Sequence, residues 1–121
     1  MPKIPEFMLK ALYEKGSLRC DEDGFEFKMK NELGPVRIIG VNPLLLDRRP
    51  VPLEKCSFVH GDLVAGFEDV SAENSVLMRK GESLTLKIED LPLKRGRHTI
   101  AINVIVKDMG AVKFSVTDQV K

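Results

Sequence analysis

The amino-acid sequence predicts an all-β fold, an antiparallel β-sandwich of jelly-roll or immunoglobulin-like type with about seven to nine strands. Apolar and polar side chains alternate along several short segments, turn residues recur roughly every ten residues, and helical periodicity is scarce. The chain has 121 residues, a length that suits one domain with a core of ordinary size. We therefore expect a single sandwich domain spanning 1–121.

The clearest strand is predicted at residues 98–106, directly after Gly96. Alternate residues from Ile100 to Val106 are β-branched and share one face, and the residues between them are uncharged. A strand without charge on either face is typical of a central position in a sheet. The short loop 108–110 then predicts a hairpin with a last strand at 112–116.

Further strands are predicted at 25–29 and 83–89, where apolar side chains occupy every second position, and at 36–41 and 56–59. Pro43 indicates an edge or a kink after residue 41, and residues 47–50 form a turn. Residues 61–80 are predicted as a long loop that holds one short strand or helical turn. Residues 7–13 suit two helical turns, but 9–15 suit a strand nearly as well. The strand is favoured because a turn follows at 15–17.

Charge and composition name no partner. Lys and Arg number 19 against 18 acidic residues, so no overall field attracts nucleic acid or a membrane. With one Tyr and no Trp, the aromatic platform of a single-strand binder is missing. The N-terminal residues lack the apolar run of a signal peptide, so a cytoplasmic location is expected. Cys20 and Cys56 are expected to be free thiols.

Two histidines are the candidates for acid–base work. His60 precedes Gly61 and Asp62, and Asp62 is placed to orient the ring of a general base. The favoured interpretation is structural, with Gly61 and Asp62 forming the turn after a short strand. His98 follows Gly96 at the start of the clearest strand. It is expected to form a structural corner with Gly96, bonding back to the loop backbone.

Other polar and apolar groups are less specific. Neither a metal-binding nor a nucleotide-binding motif is present, so no cofactor or metal is expected. Arg48–Arg49 and residues 94–97 are local basic segments, interpreted as exposed side chains. The carboxylates considered for a sugar-acting pair or a calcium site, if they converge, are Asp47, Asp62, Glu68, Asp69 and Asp118. Apolar residues in irregular segments, which indicate a second sheet surface or a partner interface, are Phe7, Met8, Leu44, Leu45, Leu46, Phe67, Val76, Leu77 and Met78.

Several segments carry a family resemblance. They are Gly-Phe-Glu-Phe-Lys at 24–28, Leu-Leu-Leu-Asp at 44–47 with Val51 and Pro52, then Phe58 and Gly61, and Leu-Lys-Arg-Gly-Arg-His-Thr-Ile at 93–100. In order and spacing they resemble the small β-subunit of C-glycoside deglycosidases, a β-sandwich domain of unknown function. The resemblance implies that metal-dependent chemistry belongs to a larger, barrel-shaped partner subunit. The small subunit would then be its structural companion.

These observations predict a non-catalytic accessory or interaction subunit that binds a protein partner or its own copies, with a sugar-acting enzyme as the implied partner. One alternative is a carbohydrate- or small-ligand-binding module that uses the loop 61–80, where Phe67 is the aromatic suited to stack on a sugar. Another is a hydrolase or lyase that uses His60 and Asp62. Nucleic acid and membrane are not expected as partners.

Overall fold

A computed structural model describes residues 4–120 and shows two antiparallel sheets, one of five strands and one of six. The predicted all-β sandwich is confirmed. Within the described residues, the elements in chain order are α1 (Glu6–Lys10), β1 (Arg19–Cys20), β2 (Gly24–Lys30), β3 (Val36–Val41), β4 (Leu45–Leu46), β5 (Arg49–Pro50), β6 (Cys56–His60), β7 (Leu63–Gly66), β8 (Val76–Met78), β9 (Ser83–Glu89), β10 (Gly96–Val106) and β11 (Gly110–Val120). The structure has more strands than the seven to nine predicted, because three of them, β1, β4 and β5, are only two residues long.

The five-stranded sheet has the order β1-β2-β9-β6-β7. Its centre is β9, which pairs with β2 along seven residues on one side and with β6 on the other. The alternation that predicted these strands decides which side chains enter the core. Phe25 and Phe27 of β2 are buried, while Lys28, which follows Phe27 and points to the opposite face, is exposed.

In the six-stranded sheet, β10 is the central strand, as the sequence predicted. It pairs with β11 along its whole length, and its other edge pairs with β4 at Ile100 and with β3 at Val104. Ile100 is 1% exposed. Full burial of such a side chain contributes about 1.5–3 kcal/mol, so this strand anchors one half of the core.

The preference for a strand at 9–15 is wrong, because α1 is a short helix at Glu6–Lys10. Pro5 precedes it, and the Pro5 carbonyl accepts the N–H groups of Met8 and Leu9. The helical turn brings Leu9 inward, where it is 6% exposed. Only after the helix does the chain meet the sheet, through an isolated bridge between Tyr13 and Met29.

Residues 61–80 hold more structure than the predicted loop. They form β7, a 3-10 turn at Phe67–Asp69 and β8. The hairpin from β6 to β7 turns on Gly61 and Asp62, and Gly61 has the positive φ of 61° that the first position of a type II′ loop requires. Within residues 4–120, no helix has the length and apolar character needed to cross a membrane.

Candidate functional site

His98 lies at the corner where the chain enters β10, and both of its ring nitrogens are engaged. Nδ1 is 2.7 Å from Oδ2 of Asp47, and Nε2 is 2.7 Å from the carbonyl oxygen of Lys94. The side chain of His98 is 13% exposed and that of Asp47 is 48% exposed. The bond to Lys94 is the expected contact with the loop backbone. The bond to Asp47, 51 residues away, could not be seen in the local sequence.

Both partners of His98 can only accept a hydrogen bond, so the two bonds form together when both ring nitrogens are protonated and the imidazole is a cation. The pKa of His98 is raised, first by the bond to Asp47 and then by the bond to the Lys94 carbonyl, against the opposing effect of burial. The pKa of Asp47 is lowered, first by the N–H of Thr99 and then by His98. The contact is therefore a charge-assisted pair.

The turn that presents Asp47 explains why it reaches His98. Asp47 and Arg48 join β4 to β5 with φ angles of 49° and 73°, the two positive values of a type I′ loop. Asp tolerates this conformation better than most residues. Asp47 N–H donates to the Thr99 carbonyl, and Asp47 Oδ1 accepts the Thr99 N–H at 2.9 Å. The turn is thereby tied to β10 by backbone and side chain together.

This arrangement acts as a latch. A general base needs a nitrogen lone pair within reach of substrate, and neither nitrogen of His98 has one while both donate. Gly96, two residues earlier, has a φ of 120°, which allows the chain to enter β10 at this corner. The exposed basic segments flank the same corner, because Arg48 and Arg49 follow Asp47 while Lys94 accepts from His98.

His60 does not pair with Asp62. Its Nε2 lies 2.9 Å from Oε2 of Glu82, which directly precedes β9, the neighbour of β6. Asp62 is exposed in the hairpin turn, and its carboxylate makes no hydrogen bond within the described residues. The hypothesis that Asp62 orients His60 is wrong, because the strand pairing presents Glu82 instead. The pKa of Glu82 is lowered, first by the Arg79 N–H and then by His60.

Phe67 is not an exposed loop aromatic. It is 3% exposed and stacks on Phe58 with ring centroids 4.5 Å apart and an interplanar angle of 28°. The 3-10 turn after β7 directs the ring between the sheets, so no face of it is available to a sugar. Of the other apolar residues predicted in irregular segments, some are buried and some are exposed. Leu44, Val76 and Met78 are core residues, whereas the exposed ones are Phe7, Met8 and Leu45.

The carboxylates singled out above form no metal site within the described residues. Within residues 4–120, no three His, Cys, Asp or Glu side chains are arranged to hold a metal ion. Asp118 instead accepts from the Tyr13 hydroxyl at 2.6 Å and from the Gly16 N–H at 2.8 Å. Burial opposes the charge on Asp118, but these bonds prevail and its pKa is lowered. The pair ties the N-terminal segment to β11.

The free edge of β7 is the feature of the five-stranded sheet that the sequence did not single out. Leu63 is 51% exposed and Val64 is 66% exposed. Neighbouring residues of a strand point to opposite faces, so both faces of this edge are apolar and open. Exposed apolar side chains at an unpaired strand edge are typical of a docking surface.

Comparison with known protein families gives one match over nearly the whole chain. Residues 8–121 match the family described as hydroxymethylglutaryl-CoA reductase, N-terminal domain. The chain belongs to this family. This family differs from the C-glycoside deglycosidase subunits that the sequence resembles, and its name does not describe a glycosidase subunit. Of that resemblance, the β-sandwich architecture is what the structure supports.

Other comparisons add little. No curated protein matches the chain. Among solved structures, a family 123 glycoside hydrolase from Clostridium perfringens, described for glycolipid glycan hydrolysis, is similar, with 14% sequence identity and a TM-score of 0.35. The similarity covers 80% of this chain but 20% of that protein. Such a low TM-score supports no statement about function.

Proposed function

We propose that this protein is a non-catalytic β-sandwich domain that binds another protein through the free edge of β7. The observation that carries the proposal is the exposure of Leu63 and Val64 on an edge strand that also lacks charge and proline. An extended segment of a partner would add to the sheet here as a further strand. Its apolar side chains would cover those of β7.

The backbone of β7 is arranged for such pairing. In a hairpin with a two-residue loop, the residues that flank the loop form a hydrogen-bonded pair, here His60 and Leu63. The backbone groups of Val64 and Gly66 then point away from β6, toward the free edge. These N–H and C=O groups are the partners that an added strand would use.

The other edge strands are short, with the exception of β11. The edge strand β5 consists of Arg49 and Pro50, and charge and proline both oppose pairing. β1 has two residues, and β8 has three residues and is followed directly by the charged Arg79 and Lys80. The long edge of β11 borders α1 at one end and is tied to the N-terminal segment at Asp118.

The structure does not support the residue contacts that a carbohydrate module or a hydrolase would need. A carbohydrate module needs an exposed aromatic, and Phe67 is buried. A hydrolase built on His60 and Asp62 needs the two side chains in contact, and Glu82 takes that position. No hydroxyl or thiol is bonded to His60 within the described residues, so the nucleophile–base contact of covalent catalysis is missing there.

Two candidate partners follow from different sources. The family name places this kind of domain at the N-terminus of a reductase, so a catalytic region of that enzyme is one candidate. The sequence resemblance implies a barrel-shaped, sugar-acting subunit instead. A domain that supplies a docking edge to an enzyme is compatible with either, and identification of the bound protein distinguishes them.

The test is capture of the partner with and without an intact β7 edge. The tagged protein is expressed in its native cells, and bound proteins are identified by mass spectrometry. Val64→Lys places a charge on the edge, and Val64→Pro removes a free N–H without breaking a hairpin bond. We expect both variants to lose the partner. Phe7→Lys, which changes a 74% exposed apolar residue outside this edge, is the control and should retain it.

Light scattering of the purified protein completes the experiment. Self-association that Val64→Lys abolishes would make a second copy the partner. A chain that is monomeric and captures nothing would contradict the proposal. Capture that survives both Val64 variants, with circular dichroism showing that they are folded, would contradict it equally.

A further inference from the structure

One end of the sandwich is incompletely filled. A cavity of about 110 Å³ lies between the sheets, beneath α1 and beside the β10–β11 hairpin. The apolar residues around it include Leu9, Met29, Ile38, Ile102, Val112 and Phe114. Protein interiors hold few voids larger than a water molecule. A void of this size is therefore an uncommon feature of a protein core.

The cavity offers water nothing to bind. Asn31 is the buried polar residue at its wall, and its amide nitrogen donates to the carbonyl oxygens of Gly34 and Met78 at 2.7 and 3.0 Å. Its Oδ1 accepts the Leu33 N–H at 3.1 Å. Lys30 also borders the cavity, but its ammonium group pairs with a surface carboxylate. A buried water needs two to four polar partners, so the cavity suits an apolar occupant.

A surface cleft lies next to the cavity. A cleft of about 600 Å³ lies between α1 and the turn that joins β10 to β11. Four residues, Ile4, Leu9, Met109 and Val112, line both the cleft and the cavity. The two spaces therefore adjoin at α1 and the Met109 turn.

We propose that the cavity is a binding site for a small hydrocarbon group, an aromatic ring or a short alkyl chain, which enters between α1 and Met109. An engineered apolar cavity of about 150 Å³ binds benzene, so a benzene-sized group is near the upper limit for this one. Met29, Met78 and Met109 border it, and flexible methionine side chains adjust to such a guest. A larger ligand places its hydrocarbon end in the cavity and its remainder in the cleft.

The experiment uses benzene and phenol as probes and follows the methyl resonances of the whole protein by NMR. We expect benzene to shift the methyl groups that line the cavity, those of Ile102 and Val112 among them, in a saturable manner. Phenol has nearly the same shape but carries a hydroxyl group that finds no partner in this cavity. Its affinity should be lower by about tenfold.

A matched pair of variants locates the site. Val112→Ile adds a methylene group where the cleft meets the cavity, while Val116→Ile makes the same change on the inward face of β11, at a residue that does not line the cavity. Val112→Ile should weaken benzene binding severalfold, and Val116→Ile should leave it unchanged. Both variants keep an apolar, β-branched side chain, so the fold is retained.

Three results would overturn the proposal. They are an absence of methyl shifts up to the solubility limit of benzene, equal affinity for benzene and phenol, and equal effects of the two valine variants. The result is independent of docking at β7, because neither Leu63 nor Val64 lines the cavity.

Discussion

Oδ2 of Asp47 lies 2.7 Å from Nδ1 of His98, and this contact joins the β4–β5 turn to the start of β10. This is the shortest hydrogen bond between the β4–β5 turn and the start of β10. Because it depends on charge, its contribution to stability must vary with pH.

The pH dependence has a defined sign. The pKa of His98 is raised above its ordinary value of 6.5, so its contribution is complete below pH 6.5 and is lost as pH rises through the folded-state pKa. The pKa of Asp47 is lowered from 3.8, so its contribution is present above pH 3.8 and is lost as pH falls through its folded-state pKa. The latch therefore stabilises the fold most between these two ordinary values.

Asp47→Asn tests the latch, because Asn tolerates the positive φ of the turn, removes the charge and replaces one of the two accepting oxygens with an NH2 group. Since Asp47 is half exposed, solvent screening limits the loss at pH 5.5 to about 0.5–1 kcal/mol, and the loss should shrink at pH 9. Urea unfolding at both pH values measures it. NMR titration should show the pKa of His98 falling in the variant. Asp62→Asn is the control, and a pH-dependent loss of the same size there would contradict the assignment.

Phe67→Ala distinguishes a core residue from a ligand-stacking one. Removal of a ring that is 3% exposed and stacked on Phe58 should lower the free energy of unfolding by about 3–5 kcal/mol. Phe7→Ala, at a ring 74% exposed, should change it by less than about 0.5 kcal/mol. Urea denaturation of both variants makes the comparison. Equal losses would show that Phe67 does not support the core.

Gly24→Ala should be poorly tolerated for a reason that the sequence did not reveal. Gly24 begins β2, and a Cβ there would collide with the backbone carbonyl oxygen of Ile88. We expect a loss of about 3 kcal/mol or more, because the β2–β9 pairing must shift. At Gly66 a Cβ would meet the movable carboxylate of Asp69, so Gly66→Ala is the control and should cost about 1 kcal/mol or less. A mild Gly24→Ala phenotype in urea unfolding would contradict the close strand approach.

The two cysteines should differ in reactivity toward a thiol reagent. Both are free thiols, but Cys56 is 3% exposed and burial raises its pKa to about 11. At pH 8 about one Cys56 thiol in a thousand is ionised, and the thiolate is the reactive form. We expect one fast equivalent, from the partly exposed Cys20, and a second that reacts at least about 100-fold more slowly. Cys20→Ser should remove the fast phase, and a remaining fast phase would contradict the burial of Cys56.

Strands with clear alternation were predictable because their pattern is local. In β2 and β9 every second side chain is apolar, and this period is the geometry of a strand with one buried face. The short helix α1 and the 3-10 turn at Phe67 were not predictable in the same way. Leu9 suits a helix or a strand, and only its insertion at the end of the sandwich favours the helix. Phe67 lies in a segment rich in turn residues, and its burial depends on Phe58 in another strand.

The all-β sandwich, the central position of β10 and the His98 corner were predictable before the structure, because side-chain period and turn residues are properties of neighbouring positions. The partners of His98 and His60, which are Asp47 and Glu82, and the open edge of β7 emerged from the folded arrangement alone. Those relationships join atoms separated by tens of residues, and strand order, rather than local spacing, brings them together.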